Sequence, residues 1–162
     1  MQLHSKFKVF GLLSLLLVFF TACTSDSTDE VPIPDTKEIW TGANITFEKA
    51  DDGDPDLETN QDRITDNVWI TRGTEGGQIF NIKVEDSSSK SDSPTGTLWA
   101  IGTVDEIDDL DFQPFRTAIK PKEVVGKDLI VFLREDNVFI SLKFTKWSSN
   151  KGGGFAYERS SE

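Results

Sequence analysis

Histidine, cysteine, methionine and tyrosine each occur once in the 162 residues. The lone histidine, His4, and the lone cysteine, Cys23, both fall in the N-terminal stretch, and the chain beyond them has neither. That absence excludes disulfides, thiolate catalysis, Ser–His triads and His- or Cys-ligated zinc from residues 24 to 162. Long apolar runs are also missing. Val9 to Phe20 is about a dozen largely apolar positions, short of the roughly 20 that a spanning helix needs. No stretch sustains the 3.6-residue period of an amphipathic helix. Positive charge is in deficit, with 17 Lys and Arg against 28 Asp and Glu and a net charge of −11. Such a surface repels nucleic acid and anionic lipid, and no basic cluster along the chain offsets it.

What is present begins with a three-part leader. Lys6 and Lys8 give a positive start, the apolar run follows, and small residues Thr21 and Ala22 precede Cys23. The "FTAC" ending resembles the lipobox of bacterial lipoproteins, with Phe20 where leucine is usual. The resemblance implies that residues 1–22 are a signal peptide and that Cys23 becomes the first residue, carrying two or three acyl chains of the palmitate kind. A single chain anchors marginally, at about 0.8 kcal/mol per buried methylene, whereas two or more hold stably. An ordinary secretory signal that happens to contain a cysteine is the alternative. Cleavage would remove His4, Lys6 and Lys8 but no acid, making the remainder more acidic still.

Residues 23–38, running into "TSDSTDEVPIPDTKE", are polar, acidic and carry two prolines. They cannot bury enough apolar surface to order themselves and are expected to form a disordered tether. Asp26, Asp29 and Glu30 resemble the surface-export signal of lipoproteins in the Bacteroidetes. This implies an outer-membrane lipoprotein exposed at the cell surface, with a periplasm-facing anchor as the alternative.

From Ile39 the pattern has period two, the mark of strands. "ANITFEK" alternates Ala43, Ile45 and Phe47 with polar neighbours. "NVWITRG" sets Val68 and Ile70 against Trp69 and Thr71, and "GQIFNIKVE" sets Phe80, Ile82 and Val84 against Ile79, Asn81 and Lys83. "GTLWAIGTV" is apolar on both faces, as in a central strand. "DLIVFLREDNVFISLKFTKW" reads as a hairpin turning at Arg134 to Asn137. After "SSNKGGG", a last strand "FAYERS" carries Phe155 and Tyr157 on one face. The glycines there suit a flexible turn or a close backbone approach. "DEIDDLDFQPF" and the low-complexity "EDSSSKSDSPTG" read as loops, the latter a mobile one. About seven to eight short strands in residues 39–162 predict a single all-β domain. Its architecture would be an antiparallel β-sandwich, with a jelly roll as one way to arrange it.

The densest polar stretch is "KADDGDPDLETNQDRITDN", residues 49 to 67. Asp52, Asp54 and Asp56 have the alternate spacing of a calcium loop, and Asp62 could add a ligand, since calcium takes about 6–8 oxygens. The EF-hand pattern fails, because Leu57 stands where glycine is needed and Arg63 where the bidentate glutamate belongs. A solvated acidic loop without a cofactor is the plainer reading. The second acidic run, Asp105 to Asp111, has no glycine to shape it. Two acids at a set separation could hydrolyse a glycosidic bond, but nothing selects a pair. Among Trp40, Trp69, Trp99 and Trp147, the outward positions of Trp69 and Trp147 make them candidates for stacking against a sugar ring. Tryptophans that fill the core or cover a sheet edge are the commoner case.

Three pieces, "ITFEKADDGDPDLETNQDRITDNVWITRG", "WAIGT" and "VFISLKFTKWSSNKGGGFAYERS", together resemble a family of secreted domains in environmental bacteria. The resemblance implies that the Asp/Asn loop, "VWITRG" and the Gly-rich ending form one module, and it brings no activity. The function expected is a non-enzymatic, membrane-anchored binding or adhesion β-sandwich, for a glycan and calcium-stabilised in one version. The alternatives are a structural or accessory subunit contacting another envelope protein, and a small carboxylate-dependent hydrolase. The calcium and solvated-loop readings part on one measurement. A bound ion raises Tm at millimolar calcium and EDTA reverses the rise; an unchanged Tm leaves only the solvated loop.

Overall fold

Strands with one apolar face must bury it against a second layer, and two sheets do this here. The computed structural model describes Ile33, residues 36–149 and residues 151–162. The leader, Cys23 and most of the expected tether lie outside these residues. The strands are β1 (Glu38–Trp40), β2 (Ile45–Lys49), β3 (Asp62–Arg63), β4 (Trp69–Arg72), β5 (Ile79–Asn81), β6 (Thr97–Ile101), β7 (Asp128–Leu133), β8 (Val138–Trp147) and β9 (Phe155–Arg159). Among the described residues one α-helical turn, α1 (Phe115–Ala118), and three 3-10 turns lie between them. The larger sheet runs β2-β9-β8-β7-β6 with β1 added beside β8, and the smaller runs β3-β4-β5. The expected all-β sandwich is present, as six strands facing three.

β8 organises the large sheet through its length. Its ten residues let two strands share one edge end to end: β1 pairs in parallel with Val138–Ile140, and β9 pairs antiparallel from Leu142 to Trp147. At the junction, Ser160 N–H donates to the Ser141 carbonyl at 3.0 Å, and Ser141 N–H donates to Ser160 Oγ at 3.1 Å. The β7–β8 hairpin forms where expected, with Leu133 opposite Val138. Its turn ends on Asn137 at φ 58°, a left-handed conformation that asparagine tolerates better than most residues.

The core lies between the sheets. Ile70 and Ile79 from the small sheet, with Val68 just before β4, meet Leu129, Val131, Leu133, Ile140, Leu142, Phe144, Phe155 and Tyr157 from the large one. Each such side chain contributes about 1.5–3 kcal/mol on burial. Trp99 is buried with Phe115 of α1 edge-on at 4.8 Å. The far face of the large sheet is apolar as well: Phe132 stacks on Phe139 at 4.4 Å, and Phe112 meets Phe139 at 5.5 Å.

Three expectations change. β6 is the terminal strand of its sheet, not a central one. Gln113 covers its outer edge at Trp99 through backbone bonds of 2.8 and 2.9 Å, and α1 packs on it. β5 stops at Asn81 and leaves Val84 exposed. The amide of Asn81 is committed elsewhere, accepting from Trp69 N–H at 2.9 Å and donating to the carbonyls of Asn67 and Thr95. The Ser-rich segment after it is tied down. Glu85 accepts from Asn81 N–H at 2.7 Å, from Thr95 N–H at 2.8 Å and from the Ser93 hydroxyl, and Ser93 is buried.

The Gly-rich ending makes the close approach anticipated for it. Gly152 N–H donates to Thr74 O at 2.6 Å, and Asp52 N–H donates to Gly152 O at 2.9 Å. Gly153, at φ 70°, leaves no room for a side chain: a Cβ would overlap the Gly73 carbonyl oxygen and lie 2.9 Å from its carbon. Gly153→Ala is therefore expected to destabilise by about 2–4 kcal/mol in urea denaturation. Gly126, at φ 81° with nothing within 4 Å of its Cβ position, should lose only about 1 kcal/mol as alanine. Equal losses at the two positions would show that the contact with Gly73 is unimportant.

Candidate functional site

The carboxylates proposed for calcium do not converge. Asp62 is turned inward, where its carboxylate accepts from Arg159 Nε at 2.7 Å, Arg159 Nη2 at 2.9 Å and Tyr157 Oη at 2.7 Å. Asp52, Asp54 and Asp56 stay exposed on the loop, and Asp54 Oδ1 accepts from Asp56 N–H at 3.0 Å. Among the described residues, no three acidic, His or Cys side chains are grouped to hold a metal.

The two candidate tryptophans also stand apart. Trp69 is on the face of β4 opposite Ile70 and Arg72, half-buried. Arg63 Cζ lies 4.2 Å from its ring centroid and Lys83 Nζ 4.4 Å away, while its Nε1–H donates to Thr65 O at 3.1 Å. Trp147, at the end of β8, has Arg72 Cζ 4.0 Å from its ring centroid and packs against Phe115, Phe144 and Phe155. Each indole therefore already carries a cation against its ring.

A concavity of about 580 Å³ lies beside Trp147, within the range of ligand pockets. Arg72 from β4 and Trp147 from β8 contribute to it, together with the turn Glu75–Gly77 and Lys151. The chain from α1 onward supplies Arg116, Lys120, Pro121, Lys122 and Glu123. Its two carboxylates are spoken for: Lys151 Nζ meets Glu75 at 2.9 Å and Lys120 Nζ meets Glu123 at 3.6 Å. Arg72, Arg116 and Lys122 remain as positive charge without a carboxylate partner among the described residues. The expectation that no basic cluster offsets the acidic surface is thus corrected by folding. Arg72 and Lys151 are remote in sequence from the "RTAIKPK" run, and that run is the one local signal of the cleft.

Arg72 is 3% exposed. Its Nε donates to Gly77 O at 2.9 Å, and its Nη1 donates to Ser148 O and Gly154 O, each at 3.1 Å. Three neutral carbonyls and an indole face hold it, and Nη2 takes no part in these bonds. Burial lowers its pKa and the charge of Asp51 opposes that; the guanidinium stays charged. Asp51 is held by Ser148 and by Gly154 N–H at 2.8 Å, which lower its pKa in that order. Asp51 belongs to the acidic loop, Arg72 and Gly73 to "VWITRG", and Gly152 to Gly154 to the ending, so the three stretches meet at one place. Comparison with protein-family models, curated proteins and solved structures finds no match for this chain.

Lys49 lies beneath the same loop, fully buried on the core side of β2 opposite Phe155, and its Nζ has no hydrogen-bond partner among the described residues. Burial lowers its pKa and Arg72 adds to this, against Asp51, Asp52 and Asp54. A lysine with a folded pKa below its unfolded 10.5 costs stability throughout the range below the folded value. The cost fades as pH rises from the folded toward the unfolded pKa. Lys49→Met should therefore stabilise at pH 7 by about 1–3 kcal/mol, with the gain shrinking as pH approaches 10.5. Urea melts of both proteins across that range measure it. A pH-independent difference would place the cost in packing and not in charge.

Proposed function

We infer that this chain is an outer-membrane lipoprotein, anchored through Cys23, whose β-sandwich is a non-enzymatic binding module with its ligand seat in the cleft beside Trp147. One observation supports the choice of site: five cationic side chains line a single concavity of a strongly acidic chain. Opposite charge focused in a cleft raises the local concentration of an anionic ligand, so the ligand is anionic. Glu75 and Glu123, the carboxylates at hand, are each bound to a lysine. That is not the free acid and base pair a glycoside hydrolase employs. A structural or accessory role has less support, because no feature of the described residues points to a protein partner as the cationic cleft points to an anion. Calcium held at the acidic loop would act on stability and not at this cleft.

The test uses the full chain made in a bacterium that processes lipoproteins. The chain should sediment with membranes and retain soluble polyanions there, while Cys23→Ser should release it. Arg116→Ala with Lys122→Ala should leave it anchored and weaken retention about tenfold, the loss of two exposed charge contacts worth about 0.7 kcal/mol each. Retention unaffected by the double substitution would remove the cleft from the function; a Cys23→Ser chain that stays on membranes would remove the anchor.

A further inference from the structure

We propose that the occupant of this cleft is an acidic polysaccharide, a chain bearing carboxylate or sulfate groups, with Arg72 as its fixed anion receptor. This rests on the cleft being the binding site. Buried charges in folded proteins are normally paired, yet Arg72 is buried without a carboxylate in direct contact and is held by carbonyl oxygens that fix its plane. Asp51 offsets part of this charge from nearby without touching it, and because Arg72 lines the cleft, a ligand anion there supplies the direct partner. Nε and Nη1 are committed to those carbonyls, so Nη2 is the donor left for an anionic group of the ligand, as a charge-assisted hydrogen bond.

Arg116 and Lys122 add two more cations on the wall that follows α1. Three cations without carboxylate partners in one cleft match a ligand with several anionic groups better than a single ion. The backbone around the cleft argues for saccharide over peptide. An acidic peptide bound in extended form gains affinity by joining an open strand edge. Arg72 of β4 is paired with Ile79 along one edge and has the 152–154 backbone against the other, and Trp147 of β8 is paired with Phe155 along one edge. The remaining lining is turns, long cationic side chains and the ring of Pro121. These favour a ligand that presents anionic groups, hydroxyls and apolar ring faces and needs no main-chain ladder.

Titration calorimetry of the full chain against polygalacturonate, chondroitin sulfate, neutral dextran and poly-glutamate tests this. The expected result is binding to one or both acidic saccharides, weakened by salt and at least about tenfold tighter than to poly-glutamate, with no heat from dextran. Polygalacturonate offers carboxylates alone and chondroitin sulfate offers both groups, so binding to polygalacturonate shows that carboxylate suffices, and binding confined to chondroitin sulfate shows that sulfate is required. Poly-glutamate binding as tightly as the saccharides, or dextran binding equally, would overturn the saccharide assignment. The cleft as a site would still stand if Arg116→Ala with Lys122→Ala weakened that binding. Absence of binding to every polyanion would overturn the site itself.

Discussion

The pairing of Asp62 with Arg159 and Tyr157 is the constraint on which the two-sheet arrangement depends. Asp62 comes from the small sheet, and Arg159 and Tyr157 come from β9 of the large one. The carboxylate takes two guanidinium N–H groups and a phenol O–H, while Arg159 Nη1 donates to Ser160 O at 3.1 Å. Burial works against the charge on Arg159, but the hydrogen bonds and charge of Asp62 outweigh it and leave its pKa raised. Burial, followed by the charge of Asp62, pushes the Tyr157 hydroxyl well above its ordinary value of 10.0. Removing one partner of such a buried set costs about 3–5 kcal/mol, whereas an apolar replacement of the whole set can be neutral. Its contribution is therefore positional: one register between the sheets satisfies every donor.

With the sheets held in that register, the ends of β4 and β8 meet. Arg72 comes to rest on Trp147, and the backbone of residues 152–154 passes against Gly73 and Asp51 at distances no side chain could share. The cleft is a by-product of this closeness. One wall is the chain after α1, the other is the turn after β4, and the floor is a guanidinium fixed by three carbonyls. Preorganised donors of this kind lose little entropy on meeting an anion. An acidic exterior around a cationic recess also limits which polyanions approach, since long-range repulsion opposes those that cannot place charge inside.

Much of the strand pattern was legible before folding. The alternations at Ile45–Phe47, Val68–Ile70 and Phe155–Tyr157, and the hairpin turning at Arg134–Asn137, follow from the two-residue period and from turn chemistry. Both are local properties of the backbone. The errors came where a side chain's partner was distant. Asn81 ends β5 by bonding Asn67 and Thr95, β6 is an edge strand sheltered by Gln113, and Asp62 leaves the acidic loop for an arginine 97 residues away. Composition reports how many carboxylates a loop holds but not which of them turn inward.

The sequence by itself determined the class of the protein: strands instead of helices, an acidic surface, and chemistry without histidine or thiol beyond residue 23. These depend on periodicity and residue count, which need no knowledge of contacts. Only the tertiary structure decided where positive charge collects. Arg72, Arg116, Lys122 and Lys151 span about half the chain, and their summed field exists only once the sheets bring them around Trp147. Charge is additive along a sequence, but potential depends on distance, and distance is set by the fold.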